Sequence, residues 1–282
     1  MKIDMHVHVT PEEISQHFER YCEREPYFSL LSHTPHNRFA TAKEVVEEMK
    51  VTGYDRSVVF GFSFSDMGLC QYVNDYVIEE VKKYNSSLIG FLSVVPNHPK
   101  AIYEIERCYQ LGLRGIGELF PAGQPFSIGE KKDTEAFARC CQALGLPVLI
   151  HLNEPVGHAY AGKTETSLKE VESFILHYPG LKVILAHFGG GLWQYELMKE
   201  LREAFKNVYY DNAAGIFLYE PRIYKVIETA GLLEKFFFGS DFPLLSPKRY
   251  EKSLRESDLS EEALARLQGG NAEQFLKEQH IL

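Results

Sequence analysis

The sequence predicts an α/β fold: a (β/α)8, or TIM, barrel with a lid-like segment inserted after the first strand. Three observations carry this expectation. Eight short apolar runs recur along the chain, each followed by a segment with helical periodicity, which is the pattern of a closed parallel barrel rather than an open sheet. Glycines stand just beyond most of the helical segments, where a left-handed cap favours them. Metal-competent side chains collect at the same end of five of the runs.

The elements follow in order. The first strand is read over Ile3 to Val9, where β-branched and apolar residues alternate with polar ones. The other strands are read over Ser57 to Ser63, Leu88 to Val95, Arg114 to Leu119, Val148 to Asn153, Lys182 to Phe188, Val208 to Asn212 and Phe236 to Asp241. Helices are expected over Ala42 to Val51, Leu69 to Tyr84, Ile102 to Leu111, Asp133 to Leu144, Ser167 to His177, Trp193 to Phe205 and Tyr219 to Ala230. Gly53, Gly112, Gly145, Gly180 and Gly231 are the expected caps. Ser260 to Glu278 reads as a closing helix or helix pair, with Gly269-Gly270 interrupting it. Thr10 to Ala40 is too long for an ordinary connection and carries His17, Tyr21, Tyr27, Phe28, His33, His36 and Phe39. In a barrel it lies over the C-terminal face, as a lid or pocket wall. The whole of 1–282 is expected to form one domain, with 10–40 as the insertion and 260–282 as the closing element.

Composition bounds the partners. The chain has 282 residues, of which 45% are hydrophobic and 24% charged, as in a soluble globular enzyme. A formal net charge of −9 argues against nucleic acid, which calls for a basic footprint. No apolar run is long enough to span a membrane, and no basic-then-apolar leader opens the chain, so the cytoplasm is the expected location. Five cysteines without repeated spacing do not suggest a disulfide framework. The expected partner is a small-molecule substrate, and a homodimer is compatible with this class of barrel.

The chemistry starts from His6 and His8. Residues two apart on a strand share a face, so both imidazoles project together and suit a divalent metal. Four more such groups stand at strand ends: Glu118 in the fourth, His151 in the fifth, His187 in the sixth and Asp241 in the eighth. In a closed barrel these six side chains converge on one mouth, and burying them together calls for a cation. Position parity puts Arg114, Ile116 and Glu118 on one inward face, and Asp4 on the face of His6 and His8, deeper in the barrel.

At these residues the chain resembles the amidohydrolase superfamily, and is similar in pattern to the amidohydrolase-related group that includes aminocarboxymuconate semialdehyde decarboxylase. The residues that carry the resemblance are Ile3-Asp4-Met5-His6-Val7-His8, His151, His187-Phe188-Gly189-Gly190-Gly191, Gly239-Ser240-Asp241-Phe242-Pro243 and Gly270-Asn271-Ala272. The resemblance implies that His6, His8 and His151 hold a divalent metal. Zinc is expected first and manganese is the alternative, as one or two ions. It implies that Asp241 ligates the metal or handles the proton of its water. His187 becomes either a ligand of a second metal or a catalytic acid/base. Gly115-Ile116-Gly117-Glu118 is similar to a strand-four motif of TatD-like hydrolases, whose carboxylate helps hold a second metal. The expected enzyme is therefore a metal-dependent hydrolase that turns metal-activated water on a small amide, ester, lactone or phosphoester, with Asp241 and His187 as catalytic groups. The alternative is a metal-dependent, non-oxidative decarboxylase of an aromatic or unsaturated acid, which needs the same ligands. A barrel retained only for binding is a third reading.

Phe120, Asn153, Trp193 and Asn212 follow strand ends and are expected to contact substrate, beside Glu154 and Phe242. Arg114, Arg222 and Lys163 are cations that an anionic substrate could use, although surface ion pairs are their ordinary fate. Gly189-Gly190-Gly191 is read as a tight turn beside the metal, since no P-loop lysine and Ser/Thr follow at the required spacing.

Overall fold

The computed structural model describes residues 1–35 and 37–282; His36, expected in the lid-like segment, lies outside the described residues. It is an α/β fold with parallel strands β1 (Ile3–His8), β2 (Arg56–Phe60), β3 (Leu88–Gly90), β4 (Ile116–Leu119), β5 (Val148–Ile150), β6 (Val183–Leu185), β7 (Val208–Asp211) and β8 (Phe236–Phe237). Pairing follows sequence order as β1-β2-β3 and β4-β5-β6-β7-β8. Parallel bridges Leu92–Ile116 and Val7–Phe242 join the two sheets at both seams. Leu92 N–H donates to Gly115 O at 2.9 Å, and Met5 N–H to Phe238 O at 2.8 Å, so the ring of strands closes.

Two apolar layers hold this arrangement. Inside the ring, Ile3, Met5, Val58, Phe60, Ile89, Phe91, Leu149, Ile184, Ala186 and Phe237 pack on one another. The C-terminal helix Asn271–Glu278 seals the bottom with Ala272, Phe275 and Leu276. Outside, the alternate strand residues (Val59, Val148, Ile150, Val183, Leu185, Val208) face buried helix residues such as Val45, Val73, Ile105, Phe137 and Phe174. Burying a large aliphatic or aromatic side chain contributes about 1.5–3 kcal/mol, so both layers bind the mouth's framework tightly. Gly269 illustrates the closeness: a Cβ there would lie 2.2 Å from Met1 O, so the closing element abuts the start of β1 only because the residue is glycine.

Several boundaries differ from the sequence reading. Apart from β4, which ends at Leu119 as expected, the strands end earlier; β8 stops at Phe237, where Asp241 was expected. Helix Leu168–His177 ends at Tyr178, which Pro179 biases away from the helical region, and Gly180 does not adopt the left-handed cap. Helix Ile223–Thr229 starts later than Tyr219, because Pro221 restricts Glu220. The run Trp193 to Phe205 splits at extended Met198 into a 3-10 turn, Leu192–Leu197, and a helix, Lys199–Ala204. That turn buries Glu196 against the Tyr210 hydroxyl (2.7 Å) and Lys235 Nζ (2.5 Å).

Among the described residues, the 10–40 segment holds three short helices: Glu12–Gln16, Phe18–Cys22 and Pro26–Ser32. Its buried Glu25 accepts the backbone N–H groups of Ser65 and Asp66, each at 2.8 Å, beyond β2. Phe28 packs on Phe62 and Phe64, and Tyr27 meets Phe120 edge-on at 5.0 Å. No helix among the described residues is long and apolar enough to cross a membrane.

Candidate metal centre

Simple alternation does not deliver the predicted ligands to the mouth; local irregularities do. In β1, Ile3 and Met5 face the barrel interior, so strict alternation would send His6 and His8 outward. The pairing with β2 shifts register between Asp4 and Val7, and this bulge brings His6 and His8 inside while Val7 joins the outer layer. Asp4 therefore does not share their face. Its Oδ1 accepts the N–H of His6 at 3.2 Å and of Ser240 at 2.9 Å, tying β1 to the turn after β8.

β4 repeats the device. Ile116 and Leu119 belong to the outer layer, Gly117 faces Leu149 inside, and the register shifts between Ile116 and Leu119. Glu118 thereby reaches the mouth, and the parity argument that grouped it with Ile116 and Arg114 is corrected. Arg114 donates to Tyr109 O and Leu113 O instead. In β6, Ile184 and Ala186 face inward, and His187 turns in because its backbone is left-handed (φ 54°). Asp241 does the same at φ 64°. Non-glycine residues in this region are uncommon and cluster at functional sites.

The donor atoms form one compact group. His6 Nε2 lies 3.3 Å from His8 Nε2 and 3.5 Å from Asp241 Oδ1, and His8 Nε2 lies 3.4 Å from that oxygen. Glu118 Oε1 lies 3.0 Å from His151 Nδ1, 3.5 Å from His187 Nε2 and 3.8 Å from His6 Nε2. His187 Nε2 and His151 Nδ1 are 3.1 Å apart.

The outer nitrogens of three rings already have partners. His6 Nδ1–H donates to Asp211 Oδ2 at 2.9 Å, His187 Nδ1–H to Ala213 O at 2.9 Å, and His151 Nε2–H to Asn153 Oδ1 at 3.0 Å. With those tautomers the remaining nitrogens turn lone pairs toward each other and toward two carboxylates. Acceptors face acceptors across about 3 Å only when protons or a cation lie between them, and a nitrogen–carboxylate set of this kind fits a divalent metal.

The charges read the same way. Burial opposes a charge on His6, but the carboxylates of Asp211, Glu118 and Asp241 overcome it and push the ring up to about 10. Burial likewise opposes a charge on His187, and Glu118 and Asp241 raise it to about 9. Against their own burial, Glu118 and Asp241 are held below the usual carboxylate range by the surrounding histidines. The cluster attracts positive charge strongly.

The predicted substrate contacts divide. Phe120 and Asn153 belong to the mouth: Phe120 meets the His151 ring edge-on at 4.9 Å, and Asn153 Nδ2 donates to the Tyr160 hydroxyl at 2.9 Å. Trp193 and Asn212 do not reach it. Trp193 is buried against Phe236 on the outer side of the sheet. Asn212 is fully buried, donating to the Tyr224 hydroxyl and accepting from Gly239 N–H, each at 2.8 Å. These two expectations are corrected: strand seven turns its neighbour Asp211 inward, beside Tyr209, and Asn212 points away. Asp211 was passed over in the sequence, though an acid on the inward parity of an otherwise apolar run was a legible signal. Lys163 donates to Val156 O and His158 O, and Arg222 pairs with Glu220, so neither cation stands free at the mouth.

Gly189, Gly190 and Gly191 all have positive φ, forming the tight turn expected after His187. A Cβ on Gly190 would lie 2.4 Å from Asn153 O, so this turn and the loop after β5 pack backbone to backbone.

Known proteins share this frame. Gamma-resorcylate decarboxylase of a Polaromonas species is 24% identical over 245 residues, covering 72% of this chain and 74% of that protein. The solved 5-carboxyvanillate decarboxylase of Sphingomonas paucimobilis superposes with a TM-score of 0.77 at 18% identity, covering 98% of both chains. That of Novosphingobium aromaticivorans, in complex with manganese and a nitrobenzoic acid, gives 0.78 at 18% identity, covering 98% of this chain and 96% of the other. The expectation of a metal-dependent hydrolase is corrected by these relatives, which are decarboxylases; the sequence motifs did not separate the two, because the expected ligands served both readings. Zinc as the first choice of ion is not supported either, since manganese is the ion in the Novosphingobium enzyme. The Amidohydrolase family model matches residues 3–277, and the chain belongs to that family.

Proposed function

We propose that the chain is a metal-dependent, non-oxidative decarboxylase of a hydroxylated aromatic carboxylic acid, working with one divalent ion. The observation that carries the one-ion reading is the double use of His6. Among the described residues the mouth holds two ligand triplets, His6/His8/Asp241 and His6/Glu118/His187, and both need the same imidazole; a third group, Glu19/Cys22/His33, lies apart from them in the 10–40 segment. Its Nδ1 is committed to Asp211, so only the single lone pair of Nε2 is left, and one lone pair serves one ion. Glu118, His151 and His187 form a further donor group without His6, and on this reading His187 serves there as the acid, not as a ligand. His6, His8 and Asp241 are the ligands of choice, with His151 and Glu118 beside them. The similarity to aromatic-acid decarboxylases supports the substrate class, as do the rings of Phe120, Phe62 and Tyr27 next to the cluster. The 10–40 segment, which supplies Tyr27, then serves as the lid-like wall of the substrate pocket.

When bound, the ion supplies positive charge that holds the substrate's carboxylate or a neighbouring hydroxyl oxygen. The rest belongs to the chain. Phe120 and its aromatic neighbours orient the ring by edge contacts. A hydroxyl on that ring enriches its carbons in electrons, so the carbon bearing the carboxylate can accept a proton. His187 presents Nε2 to the mouth with Nδ1–H fixed on Ala213 O, and the neighbouring Glu118 and Asp241 carboxylates favour its protonated form. Transfer of that proton to the carbon, followed by cleavage of the bond to the carboxylate, releases CO2 and restores the aromatic ring. Asp241, held ionised, suits ligation better than proton donation.

The test combines elemental analysis with CO2 release. Protein reconstituted with manganese or zinc is expected to hold about one ion per chain and to release CO2 from one or more hydroxybenzoates in a panel. His187→Asn is expected to keep the ion and lose turnover. Two ions per chain overturn the one-ion reading, and no CO2 from any hydroxybenzoate with metal fully loaded overturns the decarboxylase reading.

A further inference from the structure

Beneath the metal cluster, one carboxylate holds two of its histidines. Asp211 is fully buried at the end of β7. Its Oδ2 accepts His6 Nδ1–H at 2.9 Å. Its Oδ1 accepts two backbone N–H groups, of His187 and of Ala213, each at 3.0 Å. Ala213 in turn accepts His187 Nδ1–H on its carbonyl at 2.9 Å. The left-handed backbone of His187 and the ring orientation of His6 are thus fastened to the two oxygens of one side chain.

From this we propose that Asp211 is the positioning residue that makes the site competent for metal: it holds hydrogen on His6 Nδ1, so that Nε2 is the nitrogen the ring gives up to an ion, and it sets His187 from the same carboxylate. The inference rests on the reading of His6 as a metal ligand, and is independent of which reaction follows. The chemistry is directional. A carboxylate can only accept, so the nitrogen of His6 that faces it must carry hydrogen, and the neutral ring then keeps its lone pair on Nε2. A carboxylate behind a ligating imidazole also raises its basicity as a ligand.

Asp211→Asn discriminates this role from a merely structural one because its geometry has one solution. The two backbone N–H groups require an oxygen at the Oδ1 position, so the amide must turn its NH2 to His6. His6 Nδ1 then has to accept, which moves the ring hydrogen to Nε2, the atom that faces the metal. The size and packing of the side chain hardly change. Metal affinity, measured by chelator competition with manganese or zinc alone, is expected to fall about 10–100-fold, while the melting temperature of the metal-free protein changes little. An unchanged affinity overturns the inference, as does an affinity loss accounted for by unfolding of the metal-free variant. The wild-type protein gives a second reading that does not depend on the variant folding. In the zinc-loaded protein labelled with 15N-histidine, the His6 ring hydrogen is expected on Nδ1 and the metal on Nε2; the reverse overturns the inference. Failure of wild-type protein to bind any ion would overturn the underlying metal reading instead, so the two failures are distinguishable.

Discussion

With His6 as the proposed metal ligand, metal and protons compete for the same nitrogen, which makes the pH dependence of metal binding a direct test of the cluster's electrostatics. The carboxylates of Asp211, Glu118 and Asp241 raise this ring to about 10 despite its complete burial. At pH 7.5 the metal-free ring therefore carries a proton on both nitrogens, and an arriving ion must displace the one on Nε2. A gap of about 2.5 pH units amounts to about 3 kcal/mol of binding free energy withheld at pH 7.5 and recovered by pH 10. Affinity for manganese should accordingly rise about tenfold per pH unit between pH 7.5 and 8.5, with one proton released per ion. His187, at about 9, keeps its proton over most of that window if it is an acid and not a ligand. Chelator competition across this range, with calorimetry in buffers of different ionisation enthalpy, counts the protons. A pH-independent affinity refutes the reasoning, and two protons per ion make His187 a ligand and refute its role as the acid. The fold responds differently in the two states. In the metal-free protein a histidine pKa raised from 6.5 to about 10 stabilises fully below 6.5, and that contribution is lost as pH rises towards 10. In the metal-loaded protein the tightening of binding offsets that loss, so the contribution of this ring changes little between pH 6.5 and 10.

Other consequences follow from single residues. Burial pushes Asp4 up to about 7 from 3.8, so its ionisation costs stability that is absent below pH 3.8 and complete above about 7. Asp4→Asn keeps an oxygen for the N–H groups of His6 and Ser240 and should raise the melting temperature more at pH 8 than at pH 5.5; an equal or opposite effect counts against the assignment. Gly190→Ala places a methyl group 2.4 Å from Asn153 O at φ +57°, and should lower the melting temperature by about 5–10 °C, measured by thermal unfolding. Phe120→Ala removes the ring beside His151 and should raise KM for a hydroxybenzoate about tenfold, with kcat within about threefold in steady-state assays. A fall in kcat alone would place Phe120 in support of His151, not of the substrate.

What the sequence told and withheld divides along a physical line. Regular structure repeats, so it was legible: eight alternating apolar runs and the glycines after helices, such as Gly53 and Gly145 with φ 73° and 66°, marked the strands and helices correctly in order. The site is built where repetition stops. His6 and Glu118 were picked as candidates and do stand in the cluster, but not for the reason given, because alternation along Ile3–Met5 or through Ile116 points the other way until a register shift reverses it. His187 and Asp241 enter the mouth through left-handed backbone that only tertiary bonds maintain: Asp211 Oδ1 on the His187 N–H, and His6 O on the Asp241 N–H at 3.0 Å. Such bonds join residues 24 positions apart in one case, and opposite ends of the chain in the other, so no local window contains them. The same reasoning explains why Asn212 was chosen over Asp211. Proximity to a strand end is visible in a sequence, whereas the direction of the last side chain depends on which partner it meets. Which residue types stand near strand ends is legible in a sequence even when the geometric argument attached to them is incorrect. Second contacts such as Asp211 are properties of the assembled barrel, and they decide which nitrogen of a histidine is offered to the metal.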